Sequence, residues 1–288
     1  MSALTFSGHE TFHCRNYWLK KGFDFIQAGN SFRDKDAVIK LGVGKNMVSS
    51  IRFWLHAFGL LQQEETSEVA AFIFGENGVD PFLENPSTLW LLHYLLVKSN
   101  YASIYELVFN QIKGERSEFS REFILQQIQA LLAKGNKSIS PKTLENDIKT
   151  FRKNYVRPSK VKDVEDDLSA LLIDLNLVRE TGDKSIQDRS FIIESGEKPE
   201  IPYELILFAI IENHPNQIAV PFQDILNGEL GAGRIFALNA AGLMDKIEEI
   251  TEQYPSILYS SDGGIQQIMF TDDTIKAEPM KILRAIYD

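Results

Sequence analysis

Residues 6–15, FSGHETFHCR, place His9, Glu10 and His13 in an H-E-x-x-H arrangement. On a helix, two histidines at this spacing stand one turn apart and can bind zinc while the glutamate activates water. A zinc protease also needs a third ligand. His56, His93 and His214 come without an accompanying ligand motif, and Cys14 is the only cysteine, so a Cys-rich zinc site and an intrachain disulfide are both excluded. Zinc is therefore not the expected reading. Ser7 and Glu10 instead form a Ser-x-x-Glu capping box, which predicts a helix from Ser7 to about Lys21 with Gly22 closing it.

The element that follows carries a second pattern. Asp34 to Leu61 reads helix, glycine turn, helix, with Val48, Ile51, Leu55 and Phe58 at helical spacing behind Gly42-Val43-Gly44. Gly42-Val43-Gly44-Lys45 is similar to the end of a phosphate-binding loop, but the earlier glycine is missing and Asn46 stands where magnesium would need Ser or Thr. A helix-turn-helix is the better reading. Lys35, Lys40, Lys45 and Arg52 surround its second helix, and Asn46, Ser49 and Ser50 are expected to point outward toward base edges or phosphates. Glu68 to Phe74 with Gly75-Glu76-Asn77-Gly78 is expected to supply the strand and turn of a wing.

A second such unit is predicted further on. Ser120 to Lys134 is amphipathic, Gly135-Asn136-Lys137 is a turn, and Ser140-Pro141 is a specific helix start. Leu144, Ile148, Phe151 and Tyr155 make its buried face, leaving Lys142, Thr143, Asn146, Lys149 and Lys153 outward, with Lys134, Lys137, Arg152 and Arg157 nearby. Between the two units, Asn85-Pro86-Ser87 opens an apolar helix over Thr88 to Val97, and another is expected from Ile104 to Ile112.

Pro158 to Asp167 turns from basic to acidic and reads as an exposed connection. Beyond it, Tyr203 to Asn213 is an apolar helix, and Leu230-Gly231-Ala232-Gly233-Arg234 repeats the form of Leu41-Gly42-Val43-Gly44-Lys45. Ser256 to Phe270 reads as a hairpin turning at Asp262-Gly263-Gly264. The expected fold class is mainly α with short β-hairpins, built of multiple winged helix-turn-helix-like modules. Three are expected: residues 1–82, 83–200 with the second helix-turn-helix, and 201–288.

With 288 residues and a formal net charge of -10, the chain is not suited to coating nucleic acid wholesale, so its basic clusters must act locally. The acidic side chains Asp245, Glu248, Glu249, Glu252, Asp272 and Asp273 suit solvent or a partner. No signal peptide and no membrane-length apolar run is read, which predicts a cytoplasmic protein without a membrane partner. Self-association is left open.

F-x-G-H-E-T-F at Phe6 to Phe12, Arg15, Trp18-Leu19-Lys20-Lys21-Gly22, and L-G-V-G-K-N-M-V-x-S-I-R-x-W at Leu41 to Trp54 together resemble a bacterial family of DNA phosphorothioation-associated proteins. The family looks like the DNA-nicking subunit of single-stranded systems, in which sulfur replaces a non-bridging phosphate oxygen. The resemblance implies DNA as partner, together with sulfur-transfer and ATPase subunits, in modification or antiphage defence. It also implies that His13 is dispensable to the pattern, leaving His9 and Glu10 as the candidate catalytic pair. There, the histidine would orient or deprotonate water and Glu10 would be the metal ligand for Mg or Mn. The alternative is a noncatalytic winged-helix adaptor or transcription-factor-like DNA-binding protein.

Overall fold

The computed structural model describes residues 4–158, 170–182 and 190–288, and the chain divides into two compact units. One comprises the residues up to Ile112 with Glu118–Ile193; the other comprises Lys113–Ser117 with Glu194–Asp288. Both are mainly helical with small antiparallel sheets. Most of the expected connection over Pro158 to Asp167 lies outside the described residues.

In the first unit the helix expected from Ser7 does not form. Helix α1 spans Trp18–Gln27, and Ser7, Glu10 and Thr11 take φ of 75°, 49° and 65°, left-handed values that no helix start accepts. The capping box fails because its groups bond to distant parts of the chain: the Ser7 N–H donates to the Asp147 carboxylate at 3.0 and 3.1 Å. Gly22, read as a helix terminus, lies buried inside α1. A Cβ there would stand 2.7 Å from Leu55 Cδ1 and 2.8 Å from Ile51 Cγ2, so glycine lets α1 approach the helix carrying those residues.

The next elements follow the sequence closely. Helix α2 (Ala37–Leu41) ends at Gly42, left-handed at φ 64°, and α3 (Lys45–Ala57) begins after Gly44 and buries Val48, Ile51, Phe53, Trp54 and Leu55. Strands β1 (Leu61–Gln62) and β2 (Glu65–Thr66) form a small hairpin. The strand expected over Glu68 to Phe74 is instead helix α4 (Glu68–Phe74). Ser67 caps it by accepting from the Ala70 N–H at 3.2 Å, and Ala70, Ile73 and Phe74 bury at helical spacing. Tertiary burial overrides the strand preference of Val, Phe and Ile here.

Helix α5 (Pro86–Ser99) starts on an Asn85 cap, and α6 (Ser103–Glu106) runs into a π-helical turn over Leu107–Ile112. A short turn, α7 (Lys113–Glu115), belongs to the second unit. Strand β3 (Glu118–Ser120) leads into α8 (Arg121–Lys134), capped by Ser120. Helix α9 (Pro141–Tyr155) is capped by Ser140, which accepts from the Thr143 N–H at 3.1 Å. Strands β4 (Arg179–Thr181) and β5 (Ser190–Ile192) complete an antiparallel sheet of order β3-β5-β4. Among the fully buried side chains are Trp54, Trp90, Tyr94, Tyr105, Phe109, Phe151 and Tyr155; within this core the His93 ring bonds the Tyr155 hydroxyl at 2.7 Å.

The second unit has an apolar helix α10 (Tyr203–Asn213), strand β6 (Ala219–Pro221), helices α11 (Phe222–Asn227), α12 (Ala232–Ile235) and α13 (Ala240–Gln253), then strands β7 (Ile257–Ser260) and β8 (Gln267–Phe270). The expected hairpin is present, with Ile257 opposite Phe270, and β8 lies between β6 and β7. The sequence repeat has a structural counterpart, since Gly231 caps α12 with the same extended backbone with which Gly44 caps α3.

Candidate nucleic-acid interface

The segment from Ser7 to Cys14 lies between α3 and α9 and is tied to both. On the α3 side, Ser50 Oγ donates to the His9 carbonyl at 3.1 Å and the Trp54 indole N–H donates to the Phe12 carbonyl at 3.2 Å. On the α9 side, Asp147 accepts from Ser7 and the Cys14 N–H donates to Asn154 Oδ1 at 3.0 Å. Gly8, at φ 99°, sits where a Cβ would approach Phe53 Cδ2 to 2.8 Å. The G-H-E-T-F motif thus forms a strap that holds two helices in register.

His9 is the centre of the strap and is only 4% exposed. Its Nδ1 accepts the Thr11 N–H at 3.0 Å, so the network assigns the ring proton to Nε2, which donates to Asp147 Oδ1 at 3.2 Å. Thr150 Oγ1 stands 3.4 Å from Nδ1, Phe53 meets the ring edge-on at 5.7 Å, and Trp54 stacks at 6.4 Å. Both nitrogens are engaged, so the imidazole has no free position to offer a water or a phosphate. Glu10 is exposed beside it. His13 is buried, and neither histidine lies on a helix.

Among the described residues no group of three or more His, Cys, Asp and Glu side chains gathers where a metal ion could sit. The described residues do not form a resident metal site. Burial also pushes the Cys14 thiol pKa well above its ordinary value, which makes it a poor nucleophile.

On α3, Lys45, Asn46 and Ser49 are exposed, as read from the sequence. Ser50, expected to point outward, is fully buried because it bonds the strap. Arg52 is half-buried and forms a two-pronged pair with Glu64, with Nε to Oε2 at 3.0 Å. Hydrogen bonding and charge from Arg52 hold the Glu64 carboxyl below its usual range, while burial first and the Arg52 charge second push the His56 pKa down. Lys40 pairs with Asp36 at 2.9 Å.

Helix α9 presents Lys142, Lys149 and Lys153 to solvent and Asn146 half-buried. Asn146, Lys149 and Lys153 line a pocket of about 360 Å³ whose other walls include Thr11 of the strap, Arg121 of α8 and Phe191 of β5. Arg152, at its edge, is held by Glu180 through two bonds of 2.8 Å, whereas Arg121 bonds Glu145 at 2.9 Å and leaves its buried Nε without a partner among the described residues. The structure therefore gathers Asn146, Lys149 and Lys153, leaves Lys142 exposed beyond them, and places Lys45, Asn46, Ser49 and Arg52 on a separate helix.

Sequence reasoning missed Asp147, Thr150 and Asn154, which hold the strap. Their signal was present: three polar residues at i, i+3 and i+7 share the phase of the buried stripe Leu144, Ile148, Phe151 and Tyr155. Polar groups in a core phase require partners.

The sequence profile described as "Protein of unknown function (DUF4007)" matches residues 6–287. The chain belongs to this family. Comparison with functionally curated proteins finds no match. Two crystal structures of SspB share the fold: one with bound magnesium ion, at TM-score 0.88, and another at 0.87. Each is 24% identical in sequence, over 99% of this chain and 88% of that one. No described helix is long and apolar enough to cross a membrane.

Proposed function

We propose that this protein is the DNA-binding component of a phosphorothioation-based modification or defence system. The observation that carries this reading is the outward face of α9, where Lys142, Lys149 and Lys153 stand exposed with no carboxylate partner recorded among the described residues. Unpaired lysines in one row suit the phosphate spacing of a nucleic-acid backbone, and local clustering lets them act against the overall charge of -10. The two helix-turn-helix segments would serve as winged-helix-like readers, with Lys45, Asn46 and Ser49 contributing from α3 and Asn146 from α9. The fold shared with SspB and the sequence resemblance supply the phosphorothioation context, with sulfur-transfer and ATPase subunits as partners in the cytoplasm. The exposed carboxylates Asp245, Glu248 and Glu252 on α13 are suited to such protein contacts.

Nicking one strand for sulfur insertion is the activity that the family resemblance implies, and magnesium bound to SspB makes Mg or Mn the ions to test. The noncatalytic adaptor is favoured by a specific observation, the engagement of both His9 nitrogens inside the strap. In either case His9 acts as a positioning residue, and Glu10 is the exposed member of the pair. Supercoiled plasmid incubated with the purified protein and Mg or Mn separates the two. Open-circular product supports nicking; salt-sensitive binding with intact plasmid supports the adaptor; no salt-sensitive binding under any condition removes both.

A further inference from the structure

The pocket beside α9 is not shaped for a phosphate alone. Its walls combine three chemistries: the cations Arg121, Lys149 and Lys153; the amide of Asn146 and the hydroxyl of Thr11, for which no side-chain bond is recorded among the described residues; and an apolar floor from Ile148 and Phe191. A surface that only tracks a DNA backbone needs the first of these. Its volume of about 360 Å³ falls within the roughly 300–1,000 Å³ typical of small-molecule sites. An unpaired nucleotide presents an anionic phosphate, a hydrogen-bonding base edge and an apolar base face, which match those walls one for one.

We propose that this pocket receives a single unpaired nucleotide of the DNA strand, with its phosphate among Lys149, Lys153 and Arg121, its base over Ile148 and Phe191, and its edge toward Asn146. The buried Arg121 Nε gains the partner it lacks, because a phosphate oxygen can accept from it while the other side of the guanidinium stays on Glu145. Thr11 places the strap at the pocket wall, so a nucleotide seated there touches the residue whose N–H holds His9. The fixed Arg152–Glu180 pair closes the edge of the pocket and gives it a polar rim.

The inference rests on the DNA-binding reading, and the test separates the two. The probes are the four 2′-deoxynucleoside 5′-monophosphates, the corresponding nucleosides and inorganic phosphate, titrated calorimetrically at low salt, with duplex binding measured on the same protein. Monophosphates should bind more tightly than either phosphate or nucleoside. Lys149→Ala should weaken them about tenfold, the usual cost of one charged hydrogen bond, with an unchanged unfolding midpoint because Lys149 is exposed. Asn146→Ala should flatten the preference among the four bases. Duplex binding without monophosphate binding overturns the pocket assignment and leaves DNA binding standing, as does equal binding of phosphate and monophosphate. Loss of duplex binding itself removes the DNA reading and the strand assignment with it.

Discussion

Helices α3 and α9 begin in the same way, after a short turn and an extended cap residue, and both lean on the same strap, yet they leave different chemistry exposed. On α3 the most C-terminal cation, Arg52, is held by Glu64 of the β1–β2 hairpin turn, and Lys40 of the preceding helix is held by Asp36. On α9 the arginine at the pocket edge is also held, but Lys149 and Lys153 remain exposed at a concave wall, with Lys142 exposed beyond it. A count of cations already favours α9, which carries Lys142, Lys149, Arg152 and Lys153 against Lys45 and Arg52 on α3. Availability, set by which carboxylates the tertiary fold brings near, ranks α9 first.

The largest expected effect comes from breaking what the two helices share. Asp147→Ala leaves the His9 Nε2–H and the Ser7 N–H without an acceptor in a buried site, which should cost about 3 kcal/mol of stability in urea unfolding. It should weaken DNA binding through both helices at once. His9→Ala should behave alike, whereas Glu10→Ala, at an exposed position, should leave the unfolding midpoint unchanged. A His9→Ala protein with wild-type stability would remove the strap from the account.

The next effect sharpens the difference between the faces. Substituting Lys149 and Lys153 together with alanine should lower the salt slope of log affinity by about 2, close to 0.9 per phosphate contact, without changing stability. Arg52→Ala should change the slope less, because Arg52 is already paired. Glu64→Gln should raise DNA affinity by a few-fold by releasing Arg52, and a decrease would show that the pair serves the complex intact.

The smallest effect is a pH dependence confined to the α3 side. The folded Glu64 pKa is depressed, so its contribution is present above the ordinary carboxylate value and is lost as pH falls through the folded value. His56, whose folded pKa is also lowered, begins to oppose folding as pH drops below its ordinary value of 6.5. Both act in the same direction: His56 accounts for the decline in urea midpoint that begins below its ordinary value, and Glu64→Gln should remove the further decline that begins below the ordinary carboxylate value.

What could be read from the sequence was local. Ser140-Pro141 starts α9 and Gly42 closes α2 because cap and turn chemistry is contained within a few residues. The strap was illegible for the opposite reason: Ser7 and Glu10 satisfy a capping pattern, but the bonds that decide the segment reach Ser50, 41 residues from His9, and Asp147, 138 residues from it. EVAAFIF carried both strand-forming residues and helical burial spacing, and burial of Ala70, Ile73 and Phe74 behind the Ser67 cap overrode the strand preference. The pocket could not be foreseen because Thr11, Arg121, Asn146 and Phe191 arrive from four separate segments. Only its α9 wall was visible in advance.

The most direct test of DNA binding through α9 is the salt dependence of duplex affinity for the wild type and for the protein with Lys149→Ala and Lys153→Ala. The wild-type slope should be steep, and reduced by about 2 in the double substitution at unchanged stability. Equal slopes for the two proteins would contradict it.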